Sequence, residues 1–437
     1  MDDARMTRTR LRSLPLLAPT RTMAFAGLVL LGLVVRELAA PPFVAAPSLV
    51  ALLLGTGAVA FIARQTWEAT QPPVRTVVIG SRAATEALAA ELLARRSLRY
   101  EVIGRLGPAS GAGDDGTWLG PLDDIDAVIE RHAVDLLLLG SGMPRMAVFD
   151  ALDRCCDRLT VRLCELSEFY EEHFGHIPLA EINSAWFQCV MHPRHPIRTP
   201  PVKRAFDLVI ATVMAVSLLP LLLVLALLIR RDGAPALYRQ VRLGERGKPF
   251  SLLKLRTMRV DAAGATTWSH ADDDRVTPLG RMLRRTHIDE LPQLLNVLRG
   301  EMTIVGPRPE QPQYVAALER ILPHYTRRHQ VRPGLTGWAQ VNCGYGGSQQ
   351  GSLWKLSHDL YYLKHASVAL DVKILVRTVA LAAQPLEFGE PQLRPFVFGF
   401  PRDDAPPEPA PLTVAPEAGP PLALADVPAQ LMDGLAG

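Results

Sequence analysis

Three long apolar runs dominate the hydrophobic pattern of the chain. They cover residues 23–35, 43–63 and 208–229. An apolar run of about 20 residues is long enough to cross a bilayer as a helix. The first two runs predict a pair of transmembrane helices within residues 23–63, of which the first is short for a bilayer, preceded by a cytoplasmic N-terminus at residues 1–22. Basic residues on both flanks of the pair place these flanks in the cytoplasm, and a signal peptide would leave the second run unexplained.

The third run has basic residues on both sides and Pro220 near its middle. Symmetric positive flanks argue against crossing, and a mid-run proline with Ser217 nearby favours a helix that breaks and returns to the face it entered. A re-entrant helix is thus expected at residues 205–230. An ordinary kinked transmembrane helix is the alternative, and the residue pattern alone leaves both open.

Between residues 74 and 190 the pattern changes to short apolar strands that alternate with helices. Strands are predicted at 74–80, 100–104 and 134–139, helices at 83–96 and 125–132, and a loop at 107–120. This alternation is typical of a parallel, doubly wound sheet, a Rossmann-like architecture that often binds nucleotides. However, the turn that follows Gly80 lacks the G-x-G-x-x-G spacing that lets a backbone approach a pyrophosphate. A structural or regulatory module is therefore favoured over a dinucleotide site.

A proline-rich linker at residues 192–201 precedes a mixed, mainly helical region at residues 200–390. Strands are predicted there at 236–240 and 250–255, helices at 279–285, 313–328, 352–364 and 372–383, and loops at 261–275 and 331–338. Residues 402–437 are rich in proline and alanine and are expected to be disordered. The expected fold class is an α/β membrane protein with N-terminal transmembrane helices, a Rossmann-like sheet domain, a re-entrant helix and a mainly helical domain.

Composition agrees with a protein that lies partly in a membrane. Of the 437 residues, 48% are apolar and the mean hydropathy is +0.12, which is high for a purely soluble protein. The net charge is only +3, but basic residues are concentrated between residues 230 and 335. That region would suit anionic lipid head groups or a diphosphate, with a solvated face as the alternative. Five cysteines without metal-ligand spacing indicate a reduced compartment and no structural zinc.

The strongest candidate chemistry lies at residues 284–298, where Asp289 and Glu290 stand side by side among arginines. Asp289 is predicted to be an N-cap, and Pro292 fits a first helical turn, so a short amphipathic helix is expected to begin at the acidic pair. Free N–H groups at that helix start would attract phosphate. Adjacent carboxylates in a basic setting can supply a nucleophile and a metal ligand, which makes phosphoryl transfer the first chemistry to consider.

Five motifs carry a family resemblance. They are KLRTM at 254–258, IDELPQL at 288–294, VGPRPE at 305–310, RPGLTGWAQVN at 332–342 and DLYYL at 359–363. In order and spacing they resemble the bacterial sugar transferases, the monotopic polyprenyl-phosphate phosphoglycosyl transferases, over about residues 200–385. The upstream part resembles the larger members, which usually carry four N-terminal membrane helices where this sequence predicts two.

The resemblance implies that a sugar 1-phosphate passes from a UDP-sugar to undecaprenyl phosphate, with release of UMP, at the cytoplasmic face of a bacterial inner membrane. This reaction would initiate exopolysaccharide or O-antigen assembly. Asp289 would attack the sugar-linked phosphorus to form a covalent phosphosugar enzyme. Glu290 would assist by orienting Asp289 or the metal, or by handling a proton. Mg²⁺ is the implied ion, with Asp289 as its ligand.

Other residues are assigned by the same resemblance. Cations that would contact phosphate, unless they are merely surface or lipid-facing, are Lys254, Arg256, Arg308 and Arg332. Asp359 and Asp371 would serve a metal or base-recognition site or cap helices, with capping favoured for at least one. The family's re-entrant helix carries a Ser/Pro break, which Pro220 matches, while Ser217 stands apart from it. His358 replaces a common tyrosine.

The expected partners are a UDP-sugar, undecaprenyl phosphate and membrane lipids, and nucleic acid is not expected. A homodimer stays open, as do the sugar and the polysaccharide. Two other classes compete with the transferase. One is a non-catalytic scaffold or regulator of polysaccharide assembly. The other is a nucleotide-sugar epimerase or dehydratase working from residues 74–190, against which the missing glycine fingerprint and Tyr-x-x-x-Lys pair count.

Overall fold

The computed structural model describes residues 70–382 and a few residues between 55 and 63. Gaps within this range fall at 96–97, 108–115, 141–142, 144, 154–160, 183–185, 188–199, 260–274, 323 and 344–348. The predicted transmembrane pair lies almost entirely outside the described residues, and the predicted tail lies wholly outside them. The chain divides into two compact units, Met1–Pro73 and Val74–Gly437, and every element with described bounds belongs to the second.

Five parallel strands form one sheet in the order β3-β2-β1-β4-β5. They are β1 (Val74–Ile79), β2 (Tyr100–Leu106), β3 (Trp118–Gly120), β4 (Leu136–Leu139) and β5 (Arg162–Glu165). The helices associated with them are α1 (Arg82–Ala94), α2 (Ile125–His132), α3 (Arg145–Asp153) and α4 (Leu166–Phe174). The predicted parallel α/β sheet is therefore confirmed.

Both faces of this sheet are covered. Val77 and Ile79 pack with residues of α2 and α3, whereas Val78 packs with residues of α1 and α4. Burial on both faces explains why β4 and the second half of β1 appear in the sequence as continuous apolar runs. The shorter strands β3 and β5 were not predicted, and β3 lies at the end of the predicted loop 107–120. Helices α3 and α4 were also missed.

The third apolar run forms α5 (Pro201–Ile229), which would be about 44 Å long if straight. It is the one helix in the described part of the chain that is long and apolar enough to cross a membrane. Its middle is exposed to a degree unusual for apolar side chains, with Val209 63% and Val216 67% accessible. Helical structure continues through Pro220, so the expected interruption at Ser217 and Pro220 is not seen. The re-entrant path itself stays a prediction.

The remaining elements surround the acidic pair. The strands are β6 (Leu237–Leu243), β7 (Pro249–Leu255), β8 (Thr303–Val305) and β9 (Gly334–Thr336). The helices are α6 (Pro278–Arg285), α7 (Leu294–Arg299), α8 (Pro312–Ile321), α9 (Trp338–Cys343), α10 (Gln349–His365) and α11 (Val368–Ala382). Two six-residue 3₁₀ helices, Ile288–Gln293 and Tyr325–Gln330, are called the first and the second 3₁₀ helix below. Shorter 3₁₀ turns occur at Leu122–Asp124, Leu179–Glu181, Arg230–Asp232 and Glu245–Gly247. β6 and β7 form an antiparallel hairpin, and β8 pairs with β9 in parallel.

The start of α5 is fixed to this region by buried charges. Lys203 Nζ lies 2.6 Å from Asp371 Oδ2 and donates to the Val305 carbonyl at 3.1 Å. One turn later, Asp207 accepts a hydrogen bond from the Thr303 hydroxyl. The first turns of α5 are therefore part of the folded region, and the exposed apolar surface begins after them.

Both ends of α5 contact the folded region that contains the acidic pair. At its start, Arg204 donates to the Val297 carbonyl at 2.8 Å. At its end, Arg256 donates to the Ile229 carbonyl at 2.9 Å and forms a two-pronged pair with Asp232. Arg256 thus satisfies a carbonyl that a helix end leaves without a partner. The two ends of the helix are held by one folded region.

Two predicted helices differ from the structure. The expected N-cap at Asp289 is wrong, because Asp289 lies inside the first 3₁₀ helix and α7 begins only at Leu294. The 3₁₀ helix starts after His287, whose φ of 55° ends α6 and turns the chain. The predicted helix 313–328 is two elements, because His324 has a φ of 63° and separates α8 from the second 3₁₀ helix. The predicted loop 331–338 contains β9.

The backbone at Gly306, just after β8, crosses the backbone at Gly334, the first residue of β9, in close contact. A Cβ atom on Gly334 would lie 2.1 Å from the Gly306 nitrogen, and one on Gly306 would lie 2.6 Å from the Arg332 carbonyl. Glycine is therefore required at both positions by close approach of the backbones. This crossing fixes the start of the Gly306-Pro307-Arg308-Pro309 turn.

We expect Gly334→Ala to lower the free energy of unfolding by about 2–4 kcal/mol, because neither backbone can move without disturbing the β8–β9 pair. Gly80→Ala is a suitable control, since its Cβ would meet nothing closer than 3.6 Å. Thermal melting of the two purified variants measures the difference. Equal melting temperatures would contradict the crossing.

Helix α10 is packed between the sheet and the acidic pair. On the sheet side, Ser357 donates to the Ile177 carbonyl, and Lys364 lies 2.8 Å from Glu171. From α9, Trp338 Nε1 donates to the Gly175 carbonyl at 2.6 Å. The sheet is thus joined to the mainly helical region by polar contacts as well as by packing. The predicted boundaries of the domains stay predictions.

Candidate active site

Glu290 is the centre of a cluster of positive charge. Its carboxylate lies 3.3 Å from Lys254 Nζ and accepts two hydrogen bonds from the Arg308 guanidinium, at 2.6 and 3.3 Å. Burial alone would favour protonation, but Arg308 and Lys254 hold the pKa of Glu290 well below its usual range. Glu290 is therefore ionised at any physiological pH.

Asp289 has a different environment from its neighbour. It is 7% exposed, and among the described residues no hydrogen bond or ion pair reaches its carboxylate. Burial and the adjacent Glu290 charge raise the pKa of Asp289 to about 6, while Lys254, Arg284 and Arg308 act in the opposite direction. Two adjacent carboxylates with separated pKa values are typical of different chemical roles. The Asp289 carboxylate is the one left available to react.

Local structure explains how the pair is presented. The 3₁₀ helix packs against β7, which carries Lys254. Asn296, one turn into α7, is fully buried and accepts from the Leu253 nitrogen at 3.2 Å while donating to the Ser251 carbonyl at 2.8 Å. These two bonds fix the acidic stretch against the strand that carries its cation.

Arg308 is held by residues that sequence reasoning missed. Arg328 is 2% exposed, and its guanidinium donates to the Arg308 carbonyl at 3.0 Å. The same group lies 2.8 Å from Asp359 Oδ2 and bonds the Tyr325 hydroxyl at 3.0 Å. Arg328 therefore fixes the backbone from which the Arg308 side chain reaches Glu290. In the sequence Arg328 is one of several basic residues at 327–332, with no signal that separates it from the others.

Two further cations lie near the cluster. Arg242 on β6 donates to the Pro309 carbonyl at 3.3 Å, and the charges of Arg308 and Glu290 act on it. Lys355 on α10 is influenced by Arg308 and Arg328 in the same way. Burial lowers the pKa of both side chains. Neither residue was predicted, because Arg242 is one of several cations at residues 239–248 and Lys355 is a single cation on an amphipathic helix.

The structure does not bring every predicted phosphate contact to this cluster. Lys254 and Arg308 bind Glu290, as described above. The Arg256 guanidinium instead binds Asp232 and the Ile229 carbonyl at the end of α5. Arg332 pairs with Glu245 at 3.3 Å. Of the four predicted cations, Lys254 and Arg308 thus lie beside the acidic pair. The other two make ion pairs elsewhere.

Neither Asp359 nor Asp371 caps a helix, so the expectation of capping is wrong. Asp359 lies inside α10, fully buried against Arg328. Asp371 lies in the first turn of α11, but its carboxylate pairs with Lys203 and accepts from the Tyr362 hydroxyl at 2.8 Å. The helix start is capped instead by Ser367, which accepts from the Leu370 nitrogen. Both aspartates are bound by cations rather than open to a metal.

The carboxylates of the site decide whether it could hold a metal ion. In the described part of the chain, no group of three or more His, Cys, Asp or Glu side chains could hold one. Glu290 is already neutralised by two cations, which leaves Asp289 as the carboxylate available. Mg²⁺ is commonly bound by one or two carboxylates together with substrate phosphates and water. The residues present fit Mg²⁺ bound in that way.

A buried carboxylate pair surrounded by lysine and arginine, beside a long exposed apolar helix, is typical of a membrane-associated enzyme that acts on phosphorylated substrates. Residues 198–384 match the family model described as bacterial sugar transferase. That match spans the hairpin, both 3₁₀ helices and α5.

Curated relatives extend the comparison. The chain is 39% identical over 232 residues to UDP-glucose:undecaprenyl-phosphate glucose-1-phosphate transferase of Caulobacter vibrioides, covering 51% of this chain and 87% of that protein. It is 32% identical over 320 residues to the protein of the same name from Escherichia coli, covering 69% of this chain and 66% of that one. It is 32% identical over 329 residues to undecaprenyl-phosphate glucose phosphotransferase of Komagataeibacter xylinus, covering 70% of this chain and 58% of that one. The chain belongs to the bacterial sugar transferase family.

Proposed function

We propose that this protein transfers a hexose 1-phosphate from a UDP-sugar to undecaprenyl phosphate, releases UMP, and thereby initiates exopolysaccharide or O-antigen assembly. The names of the relatives support the reaction. The observation that carries the proposal is the Asp289 carboxylate, which has no hydrogen-bond or ion-pair partner among the described residues, beside an ionised Glu290 that holds Lys254 and Arg308.

The first half of the proposed reaction uses Asp289 as the nucleophile. One carboxylate oxygen attacks the phosphorus that bears the sugar, and the bond from that phosphorus to the oxygen bridging the two phosphates breaks. UMP leaves with the electron pair, and the sugar phosphate stays on the enzyme as an acyl phosphate. Lys254 and Arg308 stand beside the carboxylate pair, where they would neutralise the charge that develops on the phosphate oxygens.

In the second half of the proposed reaction, Asp289 is the leaving group and the lipid phosphate is the nucleophile. A phosphate oxygen of undecaprenyl phosphate attacks the same phosphorus, the acyl phosphate bond breaks, and the Asp289 carboxylate is regenerated. Each acceptor approaches in turn, so the kinetics are ping-pong. Because Glu290 stays ionised and bound to two cations, its role is to orient Lys254 and Arg308 rather than to carry a proton.

Mg²⁺ would be held by Asp289 and the donor phosphates. When bound, it would supply a positive charge that stabilises the leaving diphosphate oxygen. Arg242 and Lys355 are additional cations of this chain that would attract the anionic donor.

The proposed location is the cytoplasmic face of a bacterial inner membrane, with α5 in contact with lipid. One folded region contacts both ends of α5, because the Val297 carbonyl accepts from Arg204 at its start and Arg256 donates to the Ile229 carbonyl at its end. A helix that crossed the bilayer would separate its ends by the hydrocarbon core, about 30 Å thick. Contacts from one domain to both ends therefore favour a helix whose ends lie on the same side of the membrane, without the expected break at Pro220. UDP-sugars are then reached from the cytoplasm and undecaprenyl phosphate from the bilayer.

We expect kcat/KM for the UDP-sugar to fall about tenfold per pH unit below pH 6 and to be level above it. The proposed nucleophile is the carboxylate form of Asp289, whose raised pKa of about 6 means that protonation removes it as the pH falls through that value. A pH series of initial rates of UMP release measures this acid limb.

Two substitutions separate Asp289 from other groups that titrate near pH 6. Lys254→Gln should move the acid limb to higher pH, because Lys254 lowers the pKa of Asp289. Glu290→Gln should move it to lower pH, because the Glu290 charge raises that pKa. A limb that stayed in place in both variants would belong to the substrate or to another residue.

The proposed function is tested with purified full-length chain, undecaprenyl phosphate and Mg²⁺ against a panel of UDP-sugars, with UMP release as the readout. At least one UDP-sugar should support turnover that requires the lipid phosphate. If no UDP-sugar yields UMP, and thermal melting shows that the protein is folded, the non-catalytic scaffold would be favoured.

A further inference from the structure

Arg242, on the hairpin strand β6, carries a positive charge that forms no ion pair within the described part of the chain. Its Nε and Nη2 donate to the side-chain carbonyl of Gln240 at 3.2 and 2.8 Å. Its Nη1 donates to the Pro309 carbonyl at 3.3 Å. A guanidinium has five N–H donors and stays charged in proteins. These three bonds go to neutral oxygens, which leaves the charge uncompensated and two N–H groups available to a ligand.

The carboxylates whose charges act on Arg242 are already paired with other cations. They belong to Glu310 and Glu290. Glu310 lies 3.6 Å from Arg328, and the Glu290 carboxylate binds Arg308. Burial is the strongest influence on Arg242 and lowers its pKa. A partly buried charge without a counter-charge is costly, and a bound anion removes that cost. The surroundings of Arg242 therefore suit an anionic ligand.

The β6–β7 hairpin presents Arg242 and Lys254 on the same face. In the antiparallel register, Lys254 lies opposite Tyr238, and Arg242 lies opposite Phe250. Directly opposed side chains share a face, as do alternate residues of one strand. Gln240 therefore lies on this face between the two cations. Its bonds to the Arg242 guanidinium show that this group is directed along the hairpin toward Lys254.

The position of Arg242 along the hairpin indicates which phosphate it meets. The other end of the hairpin adjoins α5, where Arg256 donates to the Ile229 carbonyl. From Tyr238, opposite Lys254, to Arg242 the strand advances by about 13 Å at the rise of an antiparallel strand. Arg242 thus lies farther from the apolar helix than Lys254 does. An anion at this distance from α5 suits the soluble donor better than a lipid phosphate.

We propose that Arg242 contacts the phosphate of the UDP-sugar that leaves as UMP, and that Gln240 orients the guanidinium without cancelling its charge. This role rests on the proposed function, in which Lys254 and Arg308 meet the phosphate that bears the sugar. The second phosphate of the donor then lies between these cations and Arg242. A charge-assisted contact there stabilises the negative charge that UMP carries away.

The first test is a calorimetric titration of the purified full-length chain with UMP in the presence of Mg²⁺, which needs no turnover. We expect one saturable site, with affinity lower by about tenfold or more in Arg242→Met, the scale of one hydrogen bond to a charged group. Gln240→Glu should weaken UMP to a similar degree. Its carboxylate accepts the same two hydrogen bonds but neutralises the guanidinium. Gln313→Glu adds the same charge on the exposed side of α8 and should bind UMP as the parent does.

The second test separates the nucleotide phosphate from the lipid phosphate. In ping-pong kinetics, kcat/KM for each substrate reports its own half of the reaction. Gln240→Glu should lower kcat/KM for the UDP-sugar by about tenfold or more. It should leave kcat/KM for undecaprenyl phosphate within about twofold of the parental value. A fall confined to the lipid phosphate would overturn the proposal.

Two titration results would also overturn it. One is the absence of saturable UMP binding to parent protein that melts normally. The other is parental UMP affinity in Gln240→Glu, because Arg242 would then act only by holding the Pro309 carbonyl. Failure of every UDP-sugar to support transfer would contradict the proposed function instead. A UMP site that requires the Arg242 charge would still stand in that case.

Discussion

Asp289→Asn should reduce sugar-phosphate transfer by about four orders of magnitude or more, the scale on which enzymes lose activity when a covalent nucleophile is removed. Asparagine has nearly the same shape as aspartate but cannot form the acyl phosphate. The Asp289 carboxylate makes no hydrogen bond or ion pair within the described structure, so the variant should fold and melt like the parent or slightly above it. UMP release with saturating undecaprenyl phosphate is the measurement.

Asp126→Asn is the matched control, since Asp126 is an exposed acid on α2 of the sheet. It should transfer at the parental rate. Substantial activity in Asp289→Asn would remove Asp289 from the chemistry, and normal polysaccharide output from cells that carry only this variant would support a scaffold.

Arg328→Met should lower the free energy of unfolding by about 3–5 kcal/mol, the usual cost of leaving one member of a buried ion pair without its partner. Here the stranded group is Asp359, which is 1% exposed. The variant also loses the bond to the Arg308 carbonyl. We therefore expect transfer to fall as well, by about tenfold or more, because the Arg308 side chain would no longer be held beside Glu290. Thermal melting and UMP release measure the two effects.

The double variant Arg328→Met, Asp359→Leu separates stability from catalysis. Removal of both charges should restore much of the melting temperature, since no unpaired charge stays buried. Activity should stay low, because the bond to Arg308 is still missing. Recovery of full activity in the double variant would show that Arg328 acts on stability alone, and a parental melting temperature in the single variant would contradict the ion pair.

The sheet and α5 could be predicted because burial leaves a pattern in the sequence. β4 and the second half of β1 are covered on both faces, which favours apolar residues at successive positions. α5 exposes apolar side chains along its middle, as a helix in contact with lipid or with a protein partner does. Strands as short as β3, with three residues, leave too few positions for a periodic pattern.

The candidate site was only partly predictable. Asp289 and Glu290 are adjacent in sequence, so their pairing needed no knowledge of the fold. Arg242 and Arg328 reach the same cluster through strand pairing and a chain reversal at His324, and neither is encoded by local spacing. Arg256 was predicted to contact phosphate because of its motif, but it donates to the Ile229 carbonyl at the end of α5. Partnerships between distant segments decide such roles.

The central claim is that the Asp289 carboxylate carries the sugar phosphate between donor and acceptor. The most direct measurement is to mix active protein with the donor alone, without lipid phosphate, quench it rapidly, and locate any adduct by mass spectrometry of peptides. The account predicts an added hexose phosphate on Asp289 that disappears when undecaprenyl phosphate is supplied. An active preparation that yields no adduct, or one that carries it on another residue, would contradict the account.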